Sequence, residues 1–208
     1  EVPPAPAYAA FDLGVIRHQV ARKAKVAALS ADGRQVLLAD AKGHCWVGGT
    51  APGTAWSPLG GGGKRITAMT FTRDGARAAL ARTDRQIELW DVKGRKRLRV
   101  LKGHQEQITA LAFDGQGRRL LSASWDETAR LWDPATGKAL HVLRGHQGEV
   151  THAALSPDGS LAATTSGDGL ARVWDVRSGA LIATVGVSGG RLVAAAFGPR
   201  SRQVITVS

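Results

Sequence analysis

The chain has 208 residues, 43% of them hydrophobic, enough for one packed domain or two small ones. Its single cysteine, Cys45, excludes an internal disulfide framework and a cysteine metal set, and no apolar run reaches the roughly 20 residues of a membrane span. A net charge of +11 is enough to attract nucleic acid or an anionic surface through a basic face without a specific site.

The first stretch, EVPPAPAYAA, carries Pro3, Pro4 and Pro6, so residues 1–14 read as an extended linker or partial strand. Residues 15–208 read as β-rich runs parted by Gly, Asp and Ser turns, with no helical period. Residues 8–20, YAAFDLGVIRHQV, read as two strands, with Phe11-Asp12 a weak echo of Trp-Asp pairs found later. Next come Asp40 and Trp46, with Val47 in place of the aspartate, Leu38 at a hydroxyl position and a turn two residues shorter than its later counterparts. Gly43-His44 falls inside the expected third strand of this unit. GGGGKR (60–65) looks like a phosphate loop, but Pro58 and Arg65 stand where its first Gly and its Ser or Thr belong. It reads instead as a connection between strands.

From there one unit repeats. Trp90-Asp91, Trp132-Asp133 and Trp174-Asp175 are 42 residues apart, as are Gly103-His104 and Gly145-His146 and the turn glycines Gly75, Gly117 and Gly159. One step holds four short apolar runs: ITALAF (108–113), RLLSAS (119–124), TARLWD (128–133) and KALHVL (138–143). The next holds VTHAAL, SLAATT, LARVWD and ALIATV, and RLVAAAF and QVITVS follow. Four antiparallel strands per repeat of this length suit one propeller blade.

This register of Gly-His, Asp-Gly or Gln-Gly, Ser/Thr, Asp and Trp-Asp resembles the WD-repeat β-propeller family, over roughly residues 15–208. The resemblance implies an all-β propeller of four-stranded antiparallel blades, about four full blades plus partial terminal blade material. An open excerpt of a longer propeller is expected, since a ring cut in mid-blade leaves unpaired strand edges. A closed five-bladed ring is the alternative. The resemblance also implies a buried polar set in each complete blade: His104, Ser122, Asp126 and Trp132, then His146, Thr164, Asp168 and Trp174. The earlier units lack it. Leu80 and Gly62 stand at the hydroxyl and His positions of the unit that keeps Asp84, so these blades are expected to rely on apolar packing and to open more readily. Thr206 falls at the hydroxyl position of a fifth unit.

Trp125, in SASWDETARLWD, lies off the 42-residue lattice of the framework tryptophans, and its counterparts are Thr83 and Gly167. By resemblance it sits on the top-face loops where partners dock. It is either a binding anchor or packs on a neighbouring loop. The protein-binding residues implied are Arg65, Thr67, Thr83, Gln107, Thr109, Trp125, Glu149, Thr151 and Gly167, extended by Arg191 and Val193. The partner expected is a protein or peptide. The alternative is nucleic acid or another polyanion, held by Lys93, Arg95, Lys96, Arg97, Arg99 and Lys102 of KGRKRLRVLK (93–102), which otherwise is a solvated edge strand. No nucleophile elbow, metal spacing or acid–base pair stands out, so neither an enzyme, a cofactor nor a metal site is expected. A cytoplasmic setting is the compartment expected.

Overall fold

The alternating apolar runs fold as antiparallel strands in the computed structural model, which describes residues 24–51, 53–60, 62–186, 192 and 194–198 and the backbone of 204–207. Four four-stranded sheets form in chain order. Blade 1 holds β1 (Ala24–Leu29), β2 (Gln35–Asp40), β3 (Cys45–Gly49) and β4 (Ser57–Gly60). Blade 2 holds β5 (Ile66–Phe71), β6 (Arg77–Arg82), β7 (Ile87–Asp91) and β8 (Lys96–Leu101). Blade 3 holds β9 (Ile108–Phe113), β10 (Leu120–Ser124), β11 (Ala129–Trp132) and β12 (Ala139–Leu143). Blade 4 holds β13 (Val150–Leu155), β14 (Leu161–Ser166), β15 (Leu170–Asp175) and β16 (Leu181–Gly186). A two-stranded sheet, β17 (Ala194–Phe197) and β18 (Val204–Val207), follows, and no helix occurs among the described residues.

The cores lie between blades rather than within them. Leu37, Leu59, Ile66 and Leu80 join blades 1 and 2. Ile87, Leu101, Ile108 and Leu120 join blades 2 and 3, and Leu121, Leu131, Leu143 and Val150 join blades 3 and 4. Each sheet alone would leave one such face wet, so stacking is what makes a blade stable. The first strands β1, β5, β9, β13 and β17 pack side by side in that order. The series does not close on itself: β1 is largely exposed, whereas β5, β9 and β13 each begin on a buried Ile or Val. Among the described residues no closed five-bladed ring is formed. Residues 1–14 and the strand pair expected at 8–20 lie outside the described residues, as do Arg191 and Val193.

Blade 1 corrects the register read from sequence. Leu38 pairs with Trp46 and Val36 with Gly48, while in blade 2 Leu80 pairs with Glu88 and Ala78 with Trp90. Blade 1 therefore keeps the 42-residue step without a shortened turn, and Gly48 rather than Trp46 stands where the framework tryptophan belongs. The indole is supplied from elsewhere. Trp56 lies over Gly48, where an added Cβ would fall 2.6 Å from its Cδ2. Gly43-His44 forms the β2–β3 turn instead of entering the strand, and His44 Nδ1 lies 2.9 Å from Asp40 Oδ2. The His44 ring covers Gly62, so it fills part of the space left by the missing repeat histidine.

Blade 2 corrects a second expectation, for it does not rely on apolar packing alone. Trp90 Nε1 donates to Glu88 Oε2 at 3.1 Å, and Arg97 donates to Glu88 Oε1 at 2.9 Å. Arg82 Nε lies 2.9 Å from Glu88 Oε2, an ionic contact without a well-formed hydrogen bond at Nε. Arg82 Nη1 also donates to the Gly43 and Lys64 carbonyls, which ties blade 2 to blade 1. Burial would raise the Glu88 carboxyl, but the Arg82 charge beside it and the hydrogen bonds from Arg97 and Trp90 hold it below the usual range.

Candidate functional site

Two complete polar sets hold the framework under the loops. His104 Nδ1 meets Asp126 Oδ2 at 2.8 Å, His104 Nε2 meets Ser122 Oγ at 2.7 Å, and Trp132 Nε1 donates to Ser122 Oγ at 2.9 Å. In blade 4, His146 meets Asp168 at 3.0 Å and Thr164 Oγ1 at 2.8 Å, and Trp174 Nε1 donates to Thr164 Oγ1 at 2.9 Å. A carboxylate only accepts and an indole N–H only donates, which orders the chain of bonds. In blade 3 the indole donates to the hydroxyl and His104 Nδ1–H to the carboxylate; in blade 4 the indole donates likewise, and the Arg172 guanidinium, which only donates, faces His146 Nδ1 and donates to Asp168 Oδ2 at 2.9 Å.

Burial and hydrogen bonding act against each other at these groups. Burial pushes the His146 pKa below its ordinary value, with Asp168 only partly opposing it and the nearby Arg172 charge adding to it. Burial would raise Asp126, but hydrogen bonds from His104, Thr128 and the Gln105 N–H hold it well below the carboxylate range. At Asp168, burial is likewise outweighed, by the Gln147 and Leu170 N–H groups and by His146.

Above these sets the loops follow one pattern. The residue before each turn Asp position donates its N–H to the carbonyl just before the first strand: Thr83 to Arg65 at 2.8 Å, Trp125 to Gln107 at 2.9 Å and Gly167 to Glu149 at 2.9 Å. These six expected binding residues are thus brought together in pairs, one pair per blade, at the same end of the sheets. The threonines differ. Thr109 Oγ1 donates to the Val150 carbonyl at 2.7 Å and Thr151 Oγ1 to the Leu192 carbonyl at 2.6 Å, so both fasten one blade to the next. Thr67 Oγ1 donates within its own blade, to the Ala81 carbonyl at 3.4 Å. The side chains of Thr109 and Thr151 are thereby engaged by the framework, which spacing alone does not reveal.

The two tryptophans of SASWDETARLWD, Trp125 and Trp132, part company here. Trp132 is 1% exposed and Trp125 is 41% exposed. Its loop is held from below: Ser124 Oγ donates to the Glu106 carbonyl, the Asp126 N–H to Ser124 Oγ, and the Gln105 N–H to Asp126 Oδ2. Arg85 of blade 2 reaches across to the Gln105 carbonyl at 2.9 Å. A rigid base thus presents a large apolar side chain to solvent.

The basic stretch is less concentrated than its sequence suggests. Lys93 and Arg95 lie in the β7–β8 turn and Lys102 just past the far end of β8, while Lys96 to Arg99 are exposed along the strand. Arg97 is spent on Glu88. On the face opposite Trp125, an open cleft between blades 3 and 4 is lined by Arg118, His141, Asp158 and Arg177 among others. Its Asp158 and Asp175 accept hydrogen bonds from their own turns. Among the described residues no group of His, Cys, Asp and Glu is placed to hold a metal ion, and no helix is long and apolar enough to cross a membrane. Burial pushes the Cys45 thiol up to about 12.

Blades stacked through shared cores, with a buried indole–hydroxyl–imidazole–carboxylate chain in two of them, define a repeat protein of the β-propeller class. The model of the WD domain, G-beta repeat, matches residues 95–133 and 137–175, so the chain carries two WD repeats there, which supports a WD-repeat protein. Each match spans the fourth strand of one blade and the first three of the next, so sequence repeat and blade are offset by one strand. No curated protein matches the chain.

Proposed function

We propose that this protein is a non-catalytic interaction scaffold that binds a protein or peptide through the loop face bearing Trp125. WD repeats commonly serve as protein-interaction scaffolds. The observation that supports the reading is the contrast between a repeating, hydrogen-bonded frame and the variable residues carried above it. At one loop position blades 2, 3 and 4 present Thr83, Trp125 and Gly167, and of these only the tryptophan offers a large anchor. The preformed loop lowers the ordering cost of binding. Affinity capture with mass spectrometry, comparing wild type with Trp125→Ala, tests this. Circular dichroism establishes that both are folded. The expected result is a protein partner lost with the tryptophan; an unchanged captured set counts against the reading.

A second reading, binding of a polyanion along β8, is favoured by the exposed run Lys96–Arg99 and the net charge of +11. It predicts binding to duplex DNA that weakens steeply with added salt. Salt-insensitive or absent binding removes it.

A further inference from the structure

We infer that the partner segment seated at Trp125 is basic, presenting a Lys or Arg whose stem lies on the indole and whose charge meets Glu106 and Glu127. The inference rests on the reading of the Trp125 face as the docking surface. The two loops that frame this tryptophan reverse the charge of the chain. Between residues 102 and 107 and between 124 and 128 stand Glu106, Asp126 and Glu127 against one cation, Lys102. The chain as a whole carries 28 Lys and Arg against 17 Asp and Glu.

The roles of these groups separate cleanly. Asp126 is consumed by the frame, since it accepts from His104, Gln105 and Thr128. Glu106 and Glu127 are exposed, and neither takes part in an ion pair or side-chain hydrogen bond among the described residues. Both stand on the two segments that frame Trp125: Glu106, whose carbonyl accepts from the Ser124 hydroxyl, precedes the Gln107 carbonyl that takes the Trp125 N–H, and Glu127 lies two residues beyond Trp125 at a φ of 64°. The facing cation of the neighbouring blade, Arg85, donates to the Gln105 carbonyl rather than to either carboxylate. An exposed aromatic with two solvated carboxylates on the segments that frame it suits a cation on an apolar stem, which gains a ring contact and an ion pair together. An acidic segment or a nucleic-acid phosphate meets repulsion there.

Selection from a displayed library of random peptides on the whole chain tests this, followed by titration of one enriched peptide. The expected outcome is enrichment of Lys or Arg beside an aliphatic residue, lost binding in Trp125→Ala, and binding about fivefold weaker in the double variant Glu106→Gln/Glu127→Gln. Both glutamates are on the surface, so this variant keeps the fold. Enriched peptides that are acidic or uncharged, yet still require Trp125, overturn the basic partner and leave the docking face standing. Enriched peptides bound equally by Trp125→Ala overturn the docking face itself.

Discussion

Thr164→Val isolates the energetics of the buried polar set. Valine keeps the shape and volume of threonine, so the change removes one hydroxyl and little else. That hydroxyl is fully buried, 2.9 Å from Trp174 Nε1 and 2.8 Å from His146 Nε2. Both partners are buried too, so neither gains water in exchange. A buried polar group left unpaired costs about 1–3 kcal/mol, and two orphans predict a loss of about 2–4 kcal/mol after local relaxation. Urea unfolding followed by tryptophan fluorescence measures it, as a lower midpoint at unchanged slope. Trp174→Phe removes one of the two orphans. In the Thr164→Val background it therefore costs about 1 kcal/mol less than it does alone. A change within about 0.5 kcal/mol for Thr164→Val refutes the reasoning, since ordinary surface substitutions fall in that range.

Three further outcomes follow from the same structure. His146 and His152 are both held below their ordinary pKa by burial, so the unfolded chain takes up protons that the folded chain refuses. Stability is then level above about pH 6.5 and falls as pH drops below it, by up to about 1.4 kcal/mol per pH unit for each histidine. Urea midpoints across that range check the sign, and a rise on acidification contradicts it. Glu88→Gln leaves the buried Arg82 cation without its counter-charge and lowers stability by about 3 kcal/mol in the same assay; a loss under about 1 kcal/mol shows that Arg82 is held by the Gly43 and Lys64 carbonyls alone. Gly48→Ala drives a methyl into the Trp56 ring and costs about 1–3 kcal/mol. The cost is smaller in a Trp56→Ala background, and equal costs in both backgrounds refute the packing of Trp56 on Gly48.

What the sequence made legible, and what it hid, divides along physical lines. The repeat step, the strand count per blade and the family came from elements that recur in one register: Gly-His, the turn glycine and Trp-Asp. Blade 1 was misplaced because Trp46 is a salient residue near the right position. The better marker was the turn. Gly33 lies 42 residues before Gly75, and Ser30 and Asp32 lie as far before Thr72 and Asp74. In the structure Ser30 and Thr72 donate to those aspartates at 2.6 Å alike. The Arg82–Glu88 network escaped because it solves the problem of the buried indole with different residue types at the same places. Thr109 and Thr151 were read as binding residues on position alone, and only side-chain direction shows their hydroxyls turned toward the next blade.

The most direct test of the docking face is the affinity of one library-selected peptide for wild type and Trp125→Ala, measured by isothermal titration calorimetry with circular dichroism on both. An exposed aromatic anchor seated in a partner contributes about 2 kcal/mol or more, so the account predicts a loss of at least about thirtyfold in affinity with the fold intact. Affinities within about twofold of each other would contradict it and place the contact away from Trp125.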